Sequence, residues 1–360
     1  MFMDPRPQLT GKFFWDEHRT FVIAEVAQTH DGSLGLAHAF IDAVAAAGAD
    51  AVKFQTHIAD AESTPAEPWR VKFSPKEETR FEYWKRMEFS ELEWLGLKQH
   101  ADDLGIIFLS SPFSHQAVDM LERIGIPGWK IPSGEIGNLP LIEHCTRTGK
   151  PIILSSGLSS YEELDAAVNL VKEKGNPLGV LQCTSTYPCP PEKIGINLIP
   201  EFRHRYKVPI GLSDHSGTIY PALAAMSLGA AIVEVHVTLS RQMYGPDVSS
   251  SITIEELHQV TDAARFYNKM FSSLVDKDKV AREMAPVHQI FSKSLVAAVD
   301  IQEGQILTRK HLVAKKPGGG IPPSELENVI GLRITKDVKK DDPIHDTDLE
   351  FPTGHLPTVG

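Results

Sequence analysis

The sequence predicts a (β/α)8 barrel followed by a small, mostly-β domain. Three observations carry this reading. Eight short apolar runs recur before residue 240, each ending in small or polar residues. A helix-length amphipathic stretch separates most of them. The alternation then stops after "TIEELHQVTDAARFYNKMF", and the remaining text holds short strands and turns. Continuous apolar strands alternating with helices pair in parallel and are covered on their outer face. An open doubly wound sheet has the same periodicity; eight strands favour closure into a barrel.

Taken in order, the first run is "FVIAE", ending at Glu25. Ser33 then caps a helix whose apolar positions Leu36, Phe40, Val44 and Ala47 share a face. The next runs are "AVKFQT", "IIFLSS", "WKIPSGE", "PIILSSG", "GVLQCTS", "PIGLSDHS" and "AIVEVHVT". Helical stretches such as "SHQAVDMLERIG", "YEELDAAVNLVKEKG" and "TIYPALAAMSLGA" lie between them. Residues 57–90 break the rhythm with prolines and aromatics. A loop of this length is usually functional, and at a barrel mouth it is expected to form part of a substrate lid. The predicted boundaries are a barrel over 1–271, a charged linker over 272–292 and a small β domain over 293–353.

Hydrophobic residues make up 42% of the 360-residue chain, so a full core is expected. The formal net charge of −11 argues against nucleic acid or an acidic membrane face as the main partner. Local basic residues still leave room for a small anionic substrate. The three cysteines, Cys145, Cys183 and Cys189, form no CxxC pair, which fits a reducing compartment. The N-terminal "MFMDPRPQLTGKFFWDEHRT" has no apolar stretch of the signal-peptide kind, and no run approaches bilayer length. A cytoplasmic setting is expected.

Barrel active sites lie where the C-terminal strand ends converge. The first two strands bring Glu25, Lys53 and Gln55. The third and fourth bring Ser110, Ser111, Lys130, Ser133 and Glu135. The fifth and sixth bring Ser155, Ser156, Thr184, Ser185 and Tyr187. The last two bring Ser213, Asp214, His215, Glu234 and His236. Singly, a serine here caps a helix, a lysine snorkels and a histidine is a hydrogen-bonded core residue. Together, two lysines among hydroxyls make a site for phosphate or carboxylate. Two carboxylates beside them offer acid–base groups. His215 and His236, on adjacent strands, are too few for a structural zinc. They suit an open octahedral Mn²⁺ or Mg²⁺ completed by water and substrate oxygens. Amidohydrolase chemistry would want His-x-His after the first strand, where only His30 occurs.

At this point the chain resembles the sialic acid synthases, which condense phosphoenolpyruvate (PEP) with N-acylated hexoses. The resemblance runs from Phe21 to Phe351. It rests on "IAEVAQTHDGSL", "GADAVKFQTH", "KIPSGEIGNLPLI", "GKPIILSSGLSS", "LQCTSTYPCPPE", "GLSDHSG" and "GPDVSSS" in order. The tail is similar to the antifreeze-like (SAF) domain of such synthases. The resemblance implies that His215 and His236 hold the metal. It implies that Lys53, Gln55, Lys130, Ser133, Ser155, Ser185 and Ser213 hold PEP, with Glu25 and Glu135 near the reacting carbons. Tyr187 and Asp247 would lie near the sugar. It also implies a domain-swapped homodimer, the SAF domain of one chain closing the barrel of the other.

This sequence departs from the family pattern in three places. Ser110 stands where many members have Thr, and Ser185 where some have Asn. Lys316-Pro317-Gly318 replaces Arg-Pro-Gly, losing the guanidinium fork expected on the sugar's N-acyl group. The acceptor is therefore open among N-acetylmannosamine, its 6-phosphate and a diacetamido-trideoxy hexose. A PEP aldolase making a shorter keto-sugar phosphate and a non-catalytic sugar- or ice-binding protein are the rival readings. The tail argues against the first, and the filled strand ends argue against the second.

Overall fold

The protein is described by a computed structural model covering residues 19–351. Residues 1–18, with the N-terminal stretch read above for a leader, lie outside the described residues, as do 352–360. The chain divides into two compact units between Ser273 and Leu274.

The first unit is built on eight parallel strands: β1 (Phe21–Ala27), β2 (Ala51–Thr56), β3 (Ile107–Pro112), β4 (Trp129–Ile131), β5 (Ile152–Ser155), β6 (Leu178–Cys183), β7 (Ile210–Asp214) and β8 (Ile232–Thr238). Their hydrogen-bonded order is β3-β2-β1-β8-β7-β6-β5-β4. The first strand pairs with the last: Phe21 faces Ile232 and Glu25 faces His236. This pairing makes a nearly closed barrel, its ladders ending at β3 and β4. A short β9 (Ile252–Thr253) pairs in parallel with the end of β8.

Helices α1 (Leu34–Ala46), α4 (Glu91–Asp103), α5 (His115–Ile124), α6 (Leu139–Thr146), α7 (Tyr161–Lys174), α8 (Leu198–Tyr206), α9 (Tyr220–Ser227) and α10 (Ile254–Phe271) follow the strands. Two more, α2 (Ala59–Glu62) and α3 (Arg80–Met87), fall within the long second loop. The sequence marks many of their ends. Ser33 accepts from the Leu36 N–H, and the Ser160/Glu163 and Thr253/Glu256 pairs form capping boxes. Gly125 and Gly175 close α5 and α7 in left-handed conformation.

Strand alternation places the site. Phe21, Ile23, Ala51, Leu109, Ile153, Leu181 and Ile232 form one apolar cluster. Their strand neighbours Val22, Ala24, Val52, Phe108, Ile152, Leu154, Val180 and Val233 join the helices in the larger core. The first set therefore fills the barrel interior, and the second lies under the helices. Gly211 is required inside: a Cβ there would collide with the Ile232 carbonyl oxygen and lie 2.7 Å from Leu181 Cδ2.

In the long loop, Ala59, Tyr83, Trp84 and Met87 pack a small core with Trp69, Phe73 and Phe81. The Tyr244 hydroxyl, from the β8–α10 connection, donates to the Phe73 carbonyl at 2.7 Å.

The second unit opens with two exposed helices, α11 (Lys277–Glu283) and α12 (Ala285–Phe291), in the stretch read as a linker. Asp276 starts α11 by accepting from the Asp278 and Lys279 N–H groups. Two antiparallel pairs follow: β10 (Ser294–Ala297) with β11 (Leu312–Lys315), and β12 (Arg333–Ile334) with β13 (Leu349–Glu350). Their core includes Leu295, Ile301, Leu307, Ile334, Val338 and Ile344.

Candidate functional site

Above the apolar layer, the next inward position of each strand is polar. Continuing the alternation, Ile23 leads to Glu25, Ala51 to Lys53, Leu109 to Ser111 and Ile153 to Ser155. Leu181 leads to Cys183, Gly211 to Ser213, and Ile232 to Glu234 and His236. On β4, Trp129 and Ile131 belong to the outer core, which turns Lys130 inward. All eight strands thus feed one layer, and most of its members line a cavity of ≈ 340 Å³, within the range of small-ligand sites.

Its floor is a buried charge network. Lys53 Nζ lies 2.6 Å from Glu25 Oε2 and 3.7 Å from Glu234 Oε2. Lys130 Nζ lies 3.3 Å from Glu234 Oε1 and donates to Ser155 Oγ at 2.7 Å. Ser213 Oγ donates to Glu234 Oε1 at 2.9 Å, and Lys53 Nζ donates to Ser111 Oγ at 3.3 Å. Two lysines balance two glutamates, so the buried layer is near neutral before substrate enters.

The environments separate the carboxyls. Burial and the nearby Glu234 charge lift Glu25, against the pull of Lys53. Burial also opposes the charge on Glu234, but Lys130 and Lys53 outweigh it and hold that group below its usual range. Burial disfavours the Lys53 ammonium too, and Glu234 and Glu25 overcome this and hold it charged. Lys130 is lowered, chiefly by burial.

A cradle sits beside the floor. The Gly157 N–H donates to Ser133 Oγ at 3.0 Å. A Cβ at Gly157 would strike Ser185 Oγ and Ser133 Oγ and lie 2.9 Å from Cys183 Sγ. Only glycine lets this backbone approach the hydroxyls so closely, as anion-binding loops require.

His215 and His236 stand together, ring centroids 4.9 Å apart. His215 Nδ1 donates to the Thr184 carbonyl at 2.9 Å, and Nε2 faces the Tyr187 hydroxyl, also at 2.9 Å. Burial first, then the His215 charge, holds His236 well below its usual value and therefore neutral. Its Nδ1 is buried with no hydrogen-bond partner among the described residues. A neutral His236, and a His215 oriented through a carbonyl, present ring nitrogens of the kind a divalent cation takes as ligands. Among the described residues no group of three or more His, Cys, Asp or Glu side chains is placed to hold a metal. Water and substrate oxygens would have to complete the shell.

At the rim, Arg70 stacks 4.4 Å above the Tyr187 ring and lies 3.7 Å from Asp247 Oδ1. Burial lifts both the Asp247 carboxyl and the Tyr187 phenol. Trp69, Phe73, Tyr83 and Trp84 of the long loop also line the cavity.

The structure therefore gathers Glu25, Lys53, Gln55, Lys130, Ser133, Ser155, Ser185, Tyr187, Ser213, His215, His236 and Asp247 around one cavity. Ser110 and Glu135 are not among its lining residues. Ser110 faces away, its Oγ bonded to Thr56 Oγ1 at 2.7 Å and donating to the Phe54 carbonyl. The inward serine of that pair is Ser111, one residue on, because alternation admits only one of two neighbours. Glu135 sits in a 3₁₀ turn beyond β4, where Asn138 Nδ2 donates to it at 2.7 Å. Lys316 belongs to the second unit, is exposed, and lies 5.0 Å from the Phe291 ring centroid. Asp214 faces outward and accepts from Ser216 Oγ at 2.6 Å.

Cys183, Gln28 and Arg70 line the cavity without having been named at the strand ends, and Glu234, named there, lines it without having been given a role. Glu234 was legible: it lies two residues before His236 on the same strand. Arg70 was not, because an irregular loop has no period to read.

Similarity to known proteins agrees with this geometry. The profile of the NeuB family matches residues 40–276, and that of the SAF domain matches residues 292–350. The chain is 34% identical to the N,N'-diacetyllegionaminic acid synthase of Campylobacter jejuni, over 91% of this chain and 99% of that one. It is 33% identical to the N-acetylneuraminate-9-phosphate synthase of Homo sapiens, over 93% and 94% of the two chains. The crystal structure of N-acetylneuraminic acid (sialic acid) synthetase from Leptospira borgpetersenii, in complex with citrate, superposes with a TM-score of 0.66 at 31% identity. That match covers 76% of this chain and 92% of that one. Relatives that span both units, and a family profile over most of the barrel, lead to one conclusion: this chain belongs to the NeuB family and carries a SAF domain after its barrel.

Proposed function

We propose that this protein condenses PEP with the open-chain form of an N-acylated hexose, giving a nine-carbon 2-keto sugar acid and inorganic phosphate. The observation that carries the reading is the cavity floor. There, two buried lysines and a glycine–serine cradle lie beside a pair of histidines and a carboxyl lifted by burial. This is a site for a small dianion next to acid–base groups.

In this reading the phosphate and carboxylate of PEP rest on Lys53, Lys130 and the hydroxyls of Ser133, Ser155, Ser185 and Ser213. Gln55 positions Glu25. Tyr187 and Asp247 face the sugar at the rim. His215 and His236 are the residues that would hold a divalent cation, Mn²⁺ or Mg²⁺, whose chemistry when bound is Lewis-acid polarisation of an aldehyde oxygen. C3 of PEP forms a bond to the aldehyde carbon, water adds at C2, and the C2–O bond to phosphate breaks. Glu25 is the proton carrier of the two glutamates named from sequence, because it lines the cavity and Glu135 does not. The long loop excludes water from the reacting carbons.

The relatives' names support acceptors of the N-acetylmannosamine, 6-phosphate and diacetamido-trideoxy types, and a screen of PEP consumption across the three identifies the one used. His236→Ala should abolish phosphate release supported by Mn²⁺. Turnover near the wild-type level would overturn the role given to the histidines.

A homodimer in which one chain's SAF domain, with Lys316, closes the other's barrel is part of the proposal. Exposed Phe266, Met270 and Phe271 on α10, and Leu274, Ile290 and Phe291 after it, support it, because exposed apolar surface of this kind calls for cover. Sedimentation at low concentration tests it. The three cysteines are free and buried, which supports a cytoplasmic setting.

A further inference from the structure

The Glu25 carboxylate is held by more than the cavity wall. Gln55 Nε2 donates to Glu25 Oε1 at 2.8 Å. A carboxamide can present either its NH₂ or its carbonyl, and the wrong face would set oxygen against oxygen. Something must fix that choice.

The fixing contacts lie behind the wall. Gln28 Nε2 donates to Gln55 Oε1 at 2.7 Å and also lies 2.9 Å from His57 Nε2. His57 Nδ1 lies 2.6 Å from Glu62 Oε1. A carboxylate only accepts, so Nδ1 carries a proton; in the neutral ring Nε2 then accepts from Gln28, the nearer of its two neighbours, with Gln55 Oε1 3.3 Å away. Glu62 is itself held in place: its side chain is buried and its Oε2 accepts from the Ile58 N–H. The His57 ring is clamped between Trp84 and Phe113, at centroid distances of 4.1 and 4.5 Å and interplanar angles of 17° and 18°. It cannot turn over without unstacking both.

The donors therefore diverge from Gln28: its Nε2 donates back to His57, which donates on to Glu62, and forward to Gln55, which donates on to Glu25. Reversing any one member would leave a buried donor facing a donor or an acceptor facing an acceptor. His57 and Glu62 do not line the cavity. They touch the cavity only through their neighbours: the amides, and the Trp84 and Phe113 rings that clamp His57.

We propose that the His57–Glu62 pair is a positioning device that sets the His57 tautomer, and through it the orientation of the Gln28 and Gln55 carboxamides on Glu25. The proposal rests on the reading of Glu25 as the proton carrier in PEP condensation. Nothing in the resemblance assigns a role to either residue.

The test uses full-length protein with ¹⁵N-labelled histidine. In the wild type the neutral His57 ring should show the Nδ1–H tautomer, and Glu62→Ala should mix or invert it. Glu62→Gln keeps a carbonyl acceptor and should restore the wild-type signal. In turnover, Glu62→Ala and His57→Phe should each lower kcat roughly tenfold, the scale of a displaced hydrogen bond to a charged group. KM for PEP should hold, because the lysine and serine contacts are untouched. Glu62→Gln should recover most of kcat. His57→Phe keeps the aromatic stack, so a melting temperature near that of the wild type separates positioning from folding. An Nε2–H tautomer in the wild type would overturn the proposal. So would kcat values for Glu62→Ala and His57→Phe within twofold of wild type. A wild type that shows the expected tautomer but turns over no acceptor would instead count against PEP condensation.

Discussion

Ser110 and Ser111 are chemically identical neighbours, and only one of them is inside the barrel. The strand-end reading named both; the pleat of β3 chooses Ser111, whose Oγ accepts from Lys53. Ser111→Ala should therefore weaken PEP binding several-fold through loss of a lysine anchor, while Ser110→Ala leaves KM for PEP unchanged and costs about 1 kcal/mol of stability through the lost Thr56 partner. Steady-state KM and chemical unfolding together check both outcomes. Gly157 makes a second residue-scale case. The atoms a methyl would meet are hydroxyl and thiol ends of short side chains, which can swing aside. Gly157→Ala should fold, with KM for PEP raised on the order of tenfold because the cradle is filled. An unchanged KM would remove the cradle from the account.

The elements were read with uneven success, and the reasons are physical. The eight strands and their covering helices were legible because each buries one stripe or face, and because serine, threonine and glycine mark the helix ends. Inward and outward positions were legible in principle from the two-residue period, which also points to Glu234 and Ser111. The interior of residues 57–90 was not. Arg70 reaches Tyr187 through a loop whose shape is set by Trp69, Phe73, Tyr83 and Trp84 packing on one another. Such contacts leave no period in a sequence. The barrel's closure likewise depends on the β1–β8 pairing, a long-range fact that periodicity alone leaves open against an open sheet.

The second unit offers an element-scale prediction about pH. Asp348 is buried where β13 begins. Burial disfavours its charge, but the Lys336 ammonium at 2.6 Å and the His345 N–H at 3.0 Å outweigh that and hold the carboxyl below its ordinary value. A carboxylate lowered in the folded state adds stability above its unfolded pKa, and that contribution is lost as pH falls through the folded value. Asp348→Asn should therefore destabilise this unit at neutral pH and flatten its acid-side loss. Melting curves from about pH 6 to about pH 2 measure the difference, and parallel wild-type and variant profiles would contradict it.

At the scale of the whole molecule, each unit owns its core. The apolar clusters of the barrel fall within residues 19–273, and that of the SAF domain within residues 274–351. A chain cut after Ser273 should keep a cooperative melt. It should lose most of its turnover if the SAF domain of a partner chain closes the barrel, as proposed. Full activity in that fragment would remove cross-chain closure and leave the barrel site intact.

The central claim is that this cavity joins PEP to a sugar aldehyde by breaking the carbon–oxygen bond of PEP. Isotopic labelling tests it most directly. PEP carrying ¹⁸O in its C–O–P bridge is turned over with the acceptor found by the screen, and the products are weighed by mass spectrometry. The account predicts that the label leaves entirely with inorganic phosphate and that the sugar acid gains the mass of an unlabelled three-carbon unit. Label retained in the sugar acid would mean phosphorus–oxygen cleavage, and would contradict the mechanism assigned to Lys53, Lys130 and Glu25.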